Sequence, residues 1–247
     1  MIRITKRKEN KTDPPILAVS KRFGMYKDEE KKAVLAPDVK KDEVLERIKE
    51  EWAKLDPDRN IGGRYIDGRA AVWSMQIRLD ISPEDVERFS LVLAEFQDEE
   101  AFSVKAGTFL SALINRGKYS DYVIHTGHLT NRIDVLGFEN EKNILVRGNV
   151  GNAVGGHMKK GLLVIEGDVT TRVGVVMKDG LIEVMGNAGA ETGYSLNGGK
   201  IMVKGNSGDK VGDHMIGGEI HIEGKIGSIG KVVHGKIFHK GKLIVDK

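Results

Sequence analysis

The chain has no cysteine among its 247 residues. Disulfides and thiolate metal sites are therefore excluded, and a reducing compartment such as the cytoplasm is the expected setting. Aromatic residues are scarce at 6%, and the formal net charge is only +3, too small to announce a polyanion partner. No stretch approaches the roughly 18 consecutive apolar residues of a membrane-spanning helix. The start Met1-Ile2-Arg3-Ile4-Thr5-Lys6 also lacks the apolar run of a secretory signal. These absences point to an intracellular protein with no membrane partner.

Glycine is abundant instead, with 31 residues, and it is periodic. Gly148, Gly167, Gly186, Gly205 and Gly224 are evenly spaced and define a 19-residue repeat. Further columns follow at Gly151, Thr170, Gly189 and Gly208, at Gly155, Gly174, Gly193 and Gly212, and at Gly161, Gly180, Gly199 and Gly218. Between the glycines each unit carries one short apolar alternation: Leu163 and Ile165, Ile182 and Val184, Ile201 and Val203, Ile220 and Ile222. Alternate residues of a strand share a face, so each pair points the same way. Met158, Met177, Leu196 and Met215 form another apolar column.

A unit this short cannot enclose a core alone, so its apolar columns must be buried by stacking on the next unit. Glycine at fixed phases suits sharp corners with positive φ, and helical repeats would not tolerate so much of it. A leucine-rich pattern and a calcium-binding nonapeptide are both missing, and a propeller blade needs about twice the length. The expected fold is mainly β, a right-handed parallel β-helix with one repeat per turn. Asn149, Asp168, Asn187 and Asn206 are expected as a polar ladder at one bend.

The pattern read through Gly205-Asn206-Ser207-Gly208, Gly212, Met215, Gly218, Ile220, Ile222 and Gly224 resembles the GXGXG repeat family. That family includes the C-terminal domain of the glutamate synthase large subunit and the repeat-bearing subunit of formylmethanofuran dehydrogenase. The match covers residues 127 to 247, with departures at Thr170 and in the last unit, where Gly230 and Gly235 come early. The resemblance implies a right-handed β-helix that supports catalytic parts carried on other domains or subunits.

Residues 1–120 fall outside the resemblance and are expected to form an α+β cap on a coil domain at 121–247. Arg3, Lys6, Arg7, Lys8 and Lys11 make a basic arm, and Ile16 to Val19 a strand. Val44, Ile48, Trp52 and Leu55 fall on one helical face, and the loop Asn60 to Arg64 lacks the Lys-Ser/Thr of a phosphate cradle. Met75 to Ile81 alternates as a half-buried strand. Ser82-Pro83-Glu84-Asp85 is a helix start, followed by Val86, Phe89, Leu93 and Phe96 on one face, and a third helix runs from Val104 to Arg116. The coil should begin near Tyr122, with Ile144 and Val146 already at the inward phases. On its outer wall Leu162, Val164, Leu181, Met185 and Met202 form an apolar stripe that needs a cover, either the N-terminal domain or another chain.

Chemistry-bearing residues are sparse. Ser207 sits in a glycine corner that is not a nucleophile elbow. The histidines are His125, His128, His157, His214, His221, His234 and His239. His157 and His214 share a column but are three repeats apart, about 14 Å at strand spacing, too far for one metal. His125 with His128 is the best-spaced pair, without a fixed carboxylate beside it. Asp168, Asp179, Asp209 and Asp213 are too sparse for calcium. The last turn is basic, with Lys225, Lys231, Lys236, Lys240 and Lys242, but it lacks the interleaved aromatics of a nucleic-acid module. No catalytic, cofactor-binding or metal residue is assigned. The expected role is a non-catalytic assembly subunit that partners oxidoreductase or amidotransferase subunits, or that self-associates. The rival is a stand-alone hydrolase or esterase with its site between cap and coil.

Overall fold

The chain divides into Met1–Ala36 and Pro37–Lys247, and the computed structural model describes residues 39–55 and 80–247, all in the second unit. The basic arm, the strand at 16–19, the loop at 60–64 and all but the last two residues of the strand expected at 75–81 lie outside the described residues.

From residue 121 the chain winds into a parallel β-solenoid of about six turns. Its strands are β1 (Asp121–His125), β2 (Asn143–Arg147), β3 (Val150–Asn152), β4 (Leu162–Ile165), β5 (Val169–Thr171), β6 (Leu181–Val184), β7 (Lys200–Val203), β8 (Ile216–Ile222), β9 (His234–His239) and β10 (Lys242–Asp246). The main sheet runs β1-β2-β4-β6-β7-β8-β9-β10, and β3 pairs with β5 in a second, smaller sheet. Leu163, Ile182, Ile201 and Ile220 are direct register partners, as are Ile165, Val184, Val203 and Ile222. All eight are fully buried, so the predicted inward rows exist as ladders. Burying each such side chain is worth about 1.5–3 kcal/mol, which no isolated turn would gain.

The period holds only in the middle of the coil. At the start Tyr122 pairs with Ile144, a longer step than one repeat, and at the end Ile220 pairs with Ile237, a shorter one. The early Gly230 and Gly235 therefore mark a shortened last turn with a register shift between Ile216 and Glu219.

One corner of each turn between residues 135 and 214 uses left-handed backbone at three alternate positions. At one turn these are Arg172, Gly174 and Val176, at φ 57°, 68° and 54°, and the same phases recur at Ala153, Gly155 and His157 and at Glu191, Gly193 and Ser195. Only the middle position is glycine. A Cβ on Gly174 would stand 2.5 Å from Cδ1 of Ile201, whereas Arg172 beside it is exposed and has room for a side chain. At another bend the polar ladder forms as expected. The backbone N–H groups of Asp168, Asn187, Asn206 and Lys225 donate to side-chain oxygens one turn below, at Asn149 (2.8 Å), Asp168 (2.7 Å), Asn187 (2.9 Å) and Asn206 (2.8 Å).

Among the described residues three helices precede the coil: α1 (Val39–Lys54), α2 (Pro83–Val92), tightening into a 3-10 turn over Leu93–Phe96, and α3 (Phe102–Arg116). Ser82 caps α2, as its sequence predicts, and the cap is a reciprocal capping box with Asp85. Trp52 packs against Phe89, Phe96, Phe102 and Phe109, with ring centroids 5.2–6.3 Å apart, and its indole N–H donates to Glu99. This aromatic cluster and the coil interior form one continuous core.

The helices also close the first turn. His125 of the outermost strand donates its backbone N–H to Ser90 Oγ on α2 at 3.0 Å. Ser111 Oγ on α3 accepts from the backbone N–H of Gly137 at 2.9 Å and donates to the carbonyl of Gly107. The Asn115 amide donates to the Phe138 carbonyl at 2.9 Å. An edge strand and an irregular loop that would otherwise leave backbone groups unpaired are satisfied from the helical side.

Candidate functional site

Several of the polar residues weighed from sequence are absorbed into structure. Ser207 is buried, and its Oγ is 3.1 Å from the Thr192 hydroxyl. His125 is not paired with His128 for a metal; its Nε2 lies 2.8 Å from the Glu87 carboxylate, while His128 is exposed. His221 stacks on Phe238 at 4.2 Å and bonds Glu219 at 2.9 Å, and that bond is the main reason the Glu219 carboxyl is held below its ordinary range. His239 meets the Gly224 carbonyl at 2.8 Å. Among the described residues no group of three or more His, Asp or Glu side chains could hold a metal ion.

One concave feature stands out on the glycine-rich wall. A cavity of about 310 Å³ is framed by Phe138, Gly156, His157, Arg172, Val175 and Tyr194. It spans successive turns of the coil. The 19-residue spacing stacks Gly156, Val175 and Tyr194 in one column, and the missing side chain at Gly156 opens the hollow between Phe138 and Val175. His157 is buried against Phe138, centroid to centroid 5.1 Å. The Arg172 guanidinium lies 5.8 Å from the Tyr194 ring centre and pairs with Glu191. A largely apolar floor with one imidazole and one neutralised guanidinium suits binding better than proton transfer.

Neither a family model nor a curated protein sequence matches the chain.

Sequence reasoning missed Glu183. On the outer face of the sheet Leu145, Val164, Glu183, Met202 and His221 are successive register partners. The Glu183 side chain is fully buried there, and neither carboxylate oxygen has a hydrogen-bond partner. The nearest cation is Lys204, with Nζ at 3.8 Å. Desolvation raises the carboxyl above its ordinary range, and Lys204 offsets this only in part. A lone acid between the apolar Val164 and Met202 of its column was the available signal.

The outer apolar stripe expected to need a cover is largely covered within the chain itself. Val164 and Met202 are buried, Leu162 and Leu181 are half-buried, and of that set only Met185 is exposed, at 38%. Among the described residues, five of the eight large exposed apolar side chains lie on the last turns, at Ile216, Ile229, Val233, Leu243 and Ile244; Leu91, Tyr119 and Met185 are the others. The difference arises because strand alternation tells which residues leave the coil interior, not what lies over them.

Proposed function

We propose that this chain is a non-catalytic structural or assembly subunit. In this reading it resembles the β-helix domain of the glutamate synthase large subunit and the repeat-bearing subunit of formylmethanofuran dehydrogenase, and it partners oxidoreductase or amidotransferase subunits. The observation that carries the proposal is how the repeated polar residues are used. In the ladder through Asn149, Asp168, Asn187 and Asn206 each side chain bonds the turn above it, so the repetition serves stacking. Catalysis needs the opposite, several different groups converging once on one reacting atom. A stacked coil with a helical plug at one end is a rigid spacer, and rigid spacers hold other chains in place.

The test is affinity purification of the full chain from its source organism, followed by identification of stoichiometric partners. Recovery with redox or amidotransferase subunits is the expected result, and recovery as a lone monomer overturns the proposal. The cavity beside His157 favours one second reading, a stand-alone hydrolase or esterase. That reading requires turnover by the isolated chain in a broad ester and amide screen, lost in His157→Ala.

A further inference from the structure

The C-terminal end of the coil differs from the rest of the molecule in charge, polarity and backbone pairing. Residues 224–247 contain six lysines (Lys225, Lys231, Lys236, Lys240, Lys242 and Lys247) against one acid, Asp246, which leaves the rest of the chain slightly acidic. All six lysines are exposed. Among them lie Ile216, Val233, Leu243 and Ile244, exposed by 53%, 43%, 47% and 46%. The last strand, β10, folds back on β9 through a tight turn at Lys240 and Gly241, both with positive φ. Its other edge has no strand neighbour among the described residues. At the opposite end of the sheet, α2 covers the edge strand β1.

Lysines on an edge strand guard against indiscriminate pairing, which explains Lys240 and Lys242. It does not explain Lys225 and Lys231 off the edge, or the aliphatic side chains left open among them. We infer that this end docks an acidic, extended segment of a partner protein, whose backbone adds to the sheet beside β10 and whose carboxylates meet the lysines. The inference rests on the assembly-subunit reading and says where the partner binds. A second copy of the chain is disfavoured as occupant, because two lysine-rich ends would face each other with like charge. A lipid surface is disfavoured because it cannot satisfy the free backbone groups of an edge strand. Nucleic acid is disfavoured because the exposed apolar groups here are aliphatic and offer no stacking platform.

The probe is a synthetic peptide of alternating valine and glutamate, titrated against the full chain by fluorescence anisotropy. Binding at low salt that weakens by about tenfold or more at several-fold higher salt is expected, because the contact is electrostatically steered. The variant Lys231→Glu/Lys242→Glu should lose at least about tenfold in affinity, with an unchanged thermal melt showing that it folds. Four results would overturn the inference: no binding of this peptide at low salt; equal binding of a valine–lysine peptide; binding to vesicles of anionic lipid or to oligonucleotide in place of the peptide; or a dimer in sedimentation that Leu243→Asp abolishes. Undiminished recovery of native partners by the double lysine variant would also overturn it while leaving the assembly role intact. Absence of any native partner would instead remove the assembly role itself.

Discussion

Replacing Glu183 with methionine should make the protein more stable. The Glu183 side chain is fully buried, both its oxygens are unpartnered, and Lys204 Nζ stands 3.8 Å away, beyond hydrogen-bonding distance. Its register neighbours Val164 and Met202 are apolar and buried, so methionine continues the column. Exchanging a poorly compensated buried charge for a packed apolar side chain typically gains about 1–4 kcal/mol. A gain of about 2 kcal/mol would raise the melting temperature by roughly 4–8 °C in a chain of this size. The gain depends on pH with a definite sign. Burial raises the folded-state pKa above its unfolded value near 4.5, so the native state binds the proton more tightly. The wild type is therefore relieved of the charge penalty below the unfolded pKa and loses that stability as pH rises through the raised native pKa. Thermal melts of wild type and Glu183→Met, followed by circular dichroism from pH 4 to pH 8, should show a gap that is small at the acid end and widens upward. A gap that is constant across this range, or a variant less stable at pH 7, would refute the reasoning.

Other perturbations test other parts of the account. Val176 is β-branched at φ 54°, so Val176→Asn, a residue tolerant of that region, should stabilise by about 0.5–1 kcal/mol in denaturant titration. Gly174→Val should cost at least about 3 kcal/mol, since φ is 68° and the new Cβ would stand 2.5 Å from Ile201 Cδ1; soluble protein with a wild-type melt would contradict this. Ser111→Ala removes the acceptor for the Gly137 N–H inside the core and should cost about 1–3 kcal/mol, with faster hydrogen exchange at Gly137 and Phe138 as the direct readout.

The repeat was legible because stacking makes one residue requirement recur at every turn. Ile182, Ile201 and Ile220 had to share a row, and Gly155, Gly174 and Gly193 had to share a corner, so period alone revealed both. The flanking left-handed columns were not legible, because Arg172, Val176 and Glu191 adopt positive φ without being glycine. Where the side chain has room outside, no glycine is required and no signal is left in the sequence. The helical plug was legible in outline from Ser82-Pro83 and from the spacing of Phe89, Leu93 and Phe96. Its attachment was not, because Ser90, Ser111 and Asn115 act through contacts with residues 23 to 35 positions away. For the candidate sites the same limit applies. The hollow beside His157 depends on which columns lie next to one another in space, and the burial of Glu183 depends on what lies over the sheet, not on its own strand.

The stacking itself can be measured with two nitroxide labels. Glu166 and Glu223 are exposed and stand three repeats apart, and with no native cysteine they can be labelled cleanly as Glu166→Cys/Glu223→Cys. One parallel turn per repeat predicts a backbone separation of about 14 Å at three strand spacings, and about 10 Å for the two-repeat pair Glu166→Cys/Lys204→Cys. Distances that grow by about one strand spacing per repeat support the coil on which every functional statement depends; a Glu166–Glu223 separation beyond about 25 Å would contradict it.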